Sequence, residues 1–117
     1  MTFKFERLIV WQKSLDLATV IDEVSKKFPK EELYVLTSQI KRAADSISLN
    51  IAEGSTGQSN AEFKRFLGIA LCSDIEVVGF IYLAKRRNII NGEDFNKIYM
   101  SCEEILLMIN ALRNSLE

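Results

Sequence analysis

The stretch at residues 39–54, QIKRAADSISLNIAEG, separates into two adjacent stripes of side chains when it is wound as an α-helix. One stripe is apolar, as in a helix that faces a protein core. The other stripe is polar and lies directly beside the apolar one. A neighbouring helix would cover it there, so its polar groups would need hydrogen-bond partners. We expect this stripe to fix the register of the helix. The apolar stripe comprises Leu33, Leu36, Ile40, Ala43, Ala44, Ile47 and Ile51, and the polar stripe comprises Gln39, Arg42, Ser46, Asn50 and Glu53.

Helix-breaking and helix-capping residues divide the chain into four helices. Phe28-Pro29 ends the first helix, and Gly54 is expected to end the second as a left-handed cap. Ser59 and Asn91 are expected to cap the third and fourth. The linker at residues 55–58 is short, so the helices it joins should be antiparallel. We predict an all-α, antiparallel up-down-up-down four-helix bundle in one domain, residues 1–117, with an extended segment at 3–10 and helices at about 10–27, 30–53, 60–87 and 93–116.

The third predicted helix has more apolar surface than one face of a bundle can bury. Its apolar residues cover about 240° of the circumference, and a four-helix bundle has no central helix. We therefore expect its outer side to pack on a second copy of the chain. Asp74 interrupts the apolar arc. We expect it to face a basic group or a hydrated interface between subunits. The alternative is that it is a functional carboxylate.

Folding the third helix back along the second pairs their polar residues. This register places Arg42 within one turn of Glu76 and Glu53 near Lys64. We predict an interhelical ion pair between Arg42 and Glu76. A ligand pocket is the alternative, but catalysis needs a proton carrier and the stripe has only Glu53. The expected structural polar network is Gln39, Arg42, Ser46, Asn50, Glu53, Ser73 and Glu76.

The residue types present limit the chemistry that the chain can perform. The sequence contains no histidine, which excludes Ser-His and Cys-His catalysis and histidine-ligated zinc. Paired carboxylates for a metal are not evident either. Cys72 and Cys102 are expected to be reduced, half-buried packing residues rather than a disulfide. We therefore expect a protein that is not an enzyme and has no cofactor and no metal.

Composition indicates a soluble cytoplasmic protein. The apolar fraction is 48% and the charged fraction 26%, as in globular proteins. No uncharged apolar run approaches the roughly 20 residues that span a bilayer, so no membrane partner is expected. The N-terminus has charged residues within its short apolar run and no cleavage site, so it is not a signal peptide.

The basic residues occur in short clusters on a chain whose net charge is −1. Each cluster is an ordinary solvated helix face or, when copied around an oligomer, part of a band that faces a polyanion. The two interpretations remain open. No aromatic residues alternate with the clusters as a single-strand stacking platform would require. The candidate nucleic-acid contacts are Lys41, Arg42, Lys64, Arg65, Lys85, Arg86 and Arg87.

Several motifs together resemble one family. They are FxxLxVWQ at 5–12, FPxxE at 28–32, QIKRAAxSI at 39–47, NIAEG at 50–54, FLxxA at 66–70 and SxxE at 73–76. This pattern resembles the four-helix-bundle proteins encoded in intervening sequences of bacterial 23S ribosomal RNA genes. It is also similar to the accessory variability determinants of diversity-generating retroelements.

The resemblance implies an assembly and a set of partners. It implies a homopentameric ring and no established enzymatic activity. In the retroelement relatives it also implies binding to RNA or DNA and association with a reverse transcriptase. The leading hypothesis is thus a non-enzymatic oligomeric binding protein whose basic patches are brought together by oligomerisation. The alternative is a purely structural or protein–protein interaction bundle with no nucleic-acid role.

Overall fold

Four long helices form the fold in the computed structural model, which describes residues 1–57 and 59–116. Helices adjacent in sequence pack together, and the first closes against the fourth, in a molecule of 44 × 22 × 21 Å. No strand occurs in these residues. The all-α prediction is therefore confirmed. The helices are α1 (Ile9–Ser25), α2 (Ser38–Ser55), α3 (Asn60–Arg86) and α4 (Gly92–Ser115), with a 3₁₀ turn at Lys4–Arg7 and two further turns, 3₁₀ Lys30–Glu32 and π Leu33–Thr37, before α2.

The N-terminal segment is not extended, contrary to the prediction. It forms the Lys4–Arg7 turn, and α1 begins at Ile9. The ring of Phe5 packs edge-on against that of Trp11, with 4.9 Å between ring centroids. The Gln12 side-chain amide also donates to the Glu6 carbonyl at 2.9 Å. These contacts fold the segment back onto α1, which sequence periodicity alone does not indicate.

The core follows the predicted apolar stripe of α2 with one exception. Six of the seven stripe residues are buried, but Leu33 is half-exposed because it lies in the π turn, whose wider winding moves it off the stripe. In α1, Leu15 is 40% exposed and does not belong to the core. The core position is occupied by Ser14, whose hydroxyl donates to the Trp11 carbonyl at 2.6 Å. A satisfied hydroxyl can replace an apolar group there.

Gly54 lies inside α2 and is not a left-handed cap. No glycine of the described residues has a positive φ, and α2 continues to Ser55. A Cβ at Gly54 would lie 2.5 Å from the Phe66 Cβ and 3.1 Å from the Phe63 ring. The glycine is therefore needed for the close approach of α2 and α3.

The two predicted N-caps are confirmed. The Ser59 hydroxyl accepts from the Glu62 backbone N–H at 3.1 Å, and the Asn91 side chain accepts from the Asp94 backbone N–H at 2.7 Å. Residue Gln58 of the predicted linker lies outside the described residues. These local hydrogen bonds set where α3 and α4 begin.

The outer side of α3 remains exposed in the single chain. Ile69, Ile75, Tyr82 and Leu83 are between 38% and 54% exposed, in agreement with an excess of apolar surface on this helix. By length and composition alone, α3 is long and apolar enough to cross a membrane, although charged residues interrupt its apolar run. One such helix is weak evidence for a span, because a core helix of a soluble bundle has the same composition.

The two cysteines differ from the prediction that both are half-buried. Cys72 is exposed and Cys102 is buried, and both are free thiols. Cys102 lies on the core side of α4, whereas Cys72 lies on the outer side of α3.

Candidate nucleic-acid interface

The polar stripe of α2 forms two groups of contacts. In the first, Arg42 Nη2 donates to Glu76 Oε2 at 2.9 Å and to Gln39 Oε1 at 3.2 Å. The predicted pairing of Arg42 with Glu76 is present. Glu53 is exposed, and no ion pair joins it to Lys64 in the part of the chain that the structure describes.

The second group links three residues across the α2–α3 interface. The Ser73 hydroxyl donates to the Ser46 hydroxyl oxygen at 2.9 Å. The Asn50 side-chain amide donates to the same oxygen at 3.0 Å and to the Ser46 carbonyl at 2.8 Å. The half-buried Ser73–Ser46 contact joins the two helices at one level, and Asn50 orients the Ser46 hydroxyl within α2, so that together they help to fix the register.

Breaking the Arg42–Glu76 pair is expected to have a small effect on stability. Their side chains are 57% and 41% exposed, and water screens such pairs. A double-mutant cycle with Arg42→Ala and Glu76→Ala, followed by urea unfolding, should give a coupling energy of about 0.5 kcal/mol. A coupling above about 2 kcal/mol would show that the pair is buried in solution, for example by a second subunit.

Most of the candidate nucleic-acid contacts already have partners within the chain. Lys41 lies 3.2 Å from Asp22, and Arg65 lies 3.1 Å from Glu62. The ammonium of Lys85 lies 4.5 Å from the centroid of the Phe95 ring. Such pairing lowers the positive charge available to a phosphate but leaves the groups at the surface.

The candidates also lie far apart. Lys64-Arg65 and Lys85-Arg86-Arg87 lie near opposite ends of α3, which has 27 residues and is therefore about 40 Å long. Arg86 and Arg87 are exposed. A single chain therefore does not bring the seven residues into one patch, although it does bring Lys41 together with Arg42.

A basic groove lies beside the turn between α1 and α2. Two adjoining clefts, of about 190 and 400 Å³, share Leu33, Thr37 and Lys41. The side chain of Tyr34 is 87% exposed in the second cleft. Its wall also contains the carboxylate of Asp45. We define the basic groove by Lys26, Lys30, Tyr34, Lys41 and Arg42.

The sequence did not indicate the exposed aromatic residue of this groove. Tyr34 lies in an apolar run, LYVL at 33–36, which reads as the buried start of a helix. The π turn instead leaves its ring in solvent, within the same cleft as Lys41 and Arg42. Such turns are frequent at functional sites. The expectation that no aromatic residue accompanies the basic clusters is therefore wrong at this position.

Asp74 is the most perturbed carboxylate among the described residues. It is 1% exposed, and its Oδ1 has no hydrogen-bond partner in the described chain. Burial raises its pKa from 3.8 to about 7, and a hydrogen bond with Cys102 partly opposes that rise. Burial, together with the neighbouring Asp74, also raises the pKa of the Cys102 thiol. Among residues 1–57 and 59–116, no basic group lines the cleft beside Asp74, contrary to one of the two predicted surroundings.

No cluster of three or more metal-ligating side chains occurs within residues 1–57 and 59–116. Of the carboxylates near the basic groove, Asp22 pairs with Lys41. Asp45 lines the second cleft without another carboxylate beside it in the lining. The groove therefore offers cations, hydrogen-bond donors and one exposed aromatic ring, that of Tyr34.

The helices and their polar contacts define the chain as an all-α four-helix bundle with an interhelical hydrogen-bond network. It belongs to the 23S rRNA-intervening sequence protein family, whose family model matches residues 6–111. The resemblance predicted from the sequence motifs is therefore confirmed.

A solved structure has the same fold. It is the crystal structure of a protein with unknown function from the S23 ribosomal protein family of Bacteroides thetaiotaomicron VPI-5482. The two chains are 31% identical over 91% of this chain and 96% of that one, with a TM-score of 0.84. No curated protein matches the sequence.

Proposed function

We propose that the protein is a soluble, non-enzymatic binding protein that self-associates and binds nucleic acid with unpaired bases through its basic groove. The observation that supports this function is the basic groove itself, in which Lys41 and Arg42 share a cleft with the exposed Tyr34 and two further lysines line the adjoining cleft. Lysine and arginine attract the phosphate backbone without regard to sequence. A tyrosine ring among them can stack on an unpaired base.

Self-association would raise the affinity for nucleic acid of a groove that binds it weakly in a single chain. Asp22 and Glu76 pair with two of its cations, and the net charge of the chain is −1. An oligomer repeats the groove, so one strand can contact several copies at once and gain avidity. The homopentameric ring is one such arrangement.

Nucleic-acid binding is expected to depend on the groove lysines and on salt. With four phosphate contacts, affinity for a single strand should fall about 50-fold as salt rises from about 50 to 200 mM. Changing Lys26, Lys30 and Lys41 to alanine should remove most of this dependence and weaken binding at low salt more than tenfold. Fluorescence anisotropy of a labelled single-stranded RNA measures both effects.

A matched control changes charge without touching the groove. The triple variant of Lys4, Lys13 and Lys97 to alanine lowers net charge equally and should bind nearly as the parent does. Tyr34→Ala should weaken binding to the single strand and leave a fully paired duplex almost unaffected. Equal losses in the two triple variants would contradict the groove as the binding site.

The alternative function, a bundle that binds only protein, is favoured by the exposed apolar residues of α3. Both functions require self-association or a protein partner on this side, but only the first requires the groove. The absence of any salt-dependent RNA binding by an assembled protein would favour the alternative.

Self-association is expected to depend on the outer face of α3. Native mass spectrometry at micromolar concentration should find a multiple of the 13.4 kDa chain. Changing both Ile69 and Leu83 to glutamate should shift this to the monomer, because buried carboxylates without partners are costly. Leu49→Glu, on α2 and 65% exposed, is the control and should remain assembled. A monomeric parent protein would contradict this part of the proposal.

A further inference from the structure

A cleft between α3 and α4 takes no part in the proposed nucleic-acid binding, although its Ile75 also belongs to the exposed outer side of α3. It has a volume of about 240 Å³ and lies apart from the basic groove, with which it shares no residue. A cleft of this size suits a ligand smaller than a drug-sized molecule. It is lined by Asp74, Ile75, Val78, Tyr99, Cys102, Glu103 and Leu106.

Oδ1 of the Asp74 carboxylate in this cleft has no hydrogen-bond partner among the described residues. A carboxylate that is removed from water without hydrogen bonds or a counter-charge is strongly destabilised. The chain offers it only the Cys102 thiol, a weak donor, and no lysine or arginine lines the cleft in the described residues. A cation that enters from outside would supply both the missing charge and the missing donors.

The residues that line the cleft indicate which chemical group is attached to that cation. Ile75, Val78 and Leu106 present aliphatic surface that can cover a short hydrocarbon stem. The ring of Tyr99 can attract a cation to its face. Glu103 is exposed and adds a second negative charge to the lining, which disfavours anions.

We propose that the α3–α4 cleft is a binding site for a small primary alkylammonium ion, with the ammonium group on Asp74 and the stem against the aliphatic wall. The site does not depend on nucleic-acid binding. Ammonium is favoured over guanidinium because a compact group with three rotatable donors can reach a single recessed carboxylate. The planar guanidinium group instead suits an exposed carboxylate that it can bind through two parallel hydrogen bonds.

The test compares a charged probe with a neutral one of similar shape. Isothermal titration calorimetry of the parent chain at pH 8 with pentylammonium chloride should show saturable binding at least tenfold tighter than with 1-pentanol. Asp74→Asn should reduce this preference below twofold. Asp16→Asn, on α1 and outside the cleft, should retain it.

Chemical shifts locate the binding. In ¹H–¹⁵N spectra of the full chain, pentylammonium should move the amide signals of Ile75, Val78 and Leu106 and leave those of Lys26 and Lys41 unchanged. Folding is not expected to obscure the test, because removing an unpaired buried charge should stabilise Asp74→Asn. Equal binding of amine and alcohol, undiminished amine binding by Asp74→Asn, or shifts confined to other surfaces would each overturn the proposal.

Discussion

Replacing Gly54 with alanine is expected to lower the free energy of unfolding by about 2 kcal/mol or more. The new Cβ would lie 2.5 Å from the Phe66 Cβ, an atom fixed close to the backbone of α3. The two helices would have to separate, and the loss would exceed the roughly 1 kcal/mol that alanine gains over glycine inside a helix. Urea unfolding of the purified variant measures the change.

Gly79→Ala provides the matched control for this substitution. Gly79 also lies inside a helix, but nothing lies within 4 Å of a Cβ built on it. Alanine should therefore stabilise the chain there by up to about 1 kcal/mol through helix propensity alone. If Gly54→Ala stabilised the protein as Gly79→Ala does, the close α2–α3 approach would be incorrect.

Replacing Asp74 with asparagine is expected to stabilise the protein increasingly as pH rises. The pKa of Asp74 is about 7 in the folded chain and 3.8 ordinarily, so between these values the folded state holds a proton that the unfolded state has lost. The free energy of unfolding of the parent chain therefore falls as pH rises from about 4 to 7, by at most about 4 kcal/mol through this residue. Asparagine does not titrate and avoids that loss.

Thermal unfolding of both proteins at pH 5 and pH 8, without added amines, tests this linkage. The stability difference in favour of Asp74→Asn should be larger at pH 8. The groups beside Asp74 are Tyr99, Cys102 and Glu103, and none of them is a cation that could compensate. Asp45→Asn, which removes an exposed carboxylate of α2, is the matched control. A difference that shrank as pH rose would mean that Asp74 is paired with a cation in solution.

Features set by short-range periodicity and local hydrogen bonds could be predicted from the sequence. The buried stripe of α2 and the caps at Ser59 and Asn91 depend only on residues within a few positions. The Arg42–Glu76 contact also followed from sequence, because a short linker between antiparallel helices nearly fixes which residues are level.

Features that depend on how helices approach one another could not be predicted in this way. The role of Gly54 is set by Phe66 on another helix, and a glycine near a helix end is more often a cap. The exposure of Tyr34 follows from a π turn, which apolar periodicity does not reveal. The pairing of Lys41 with Asp22 joins α2 to α1 and required the packed structure.

The claim that the protein self-associates and binds nucleic acid is tested most directly by sedimentation velocity. A labelled single-stranded RNA is sedimented at low salt, with and without the protein at micromolar concentration. We predict that the RNA moves with a species containing several 13.4 kDa chains. RNA that sediments at its free rate beside the protein would contradict it.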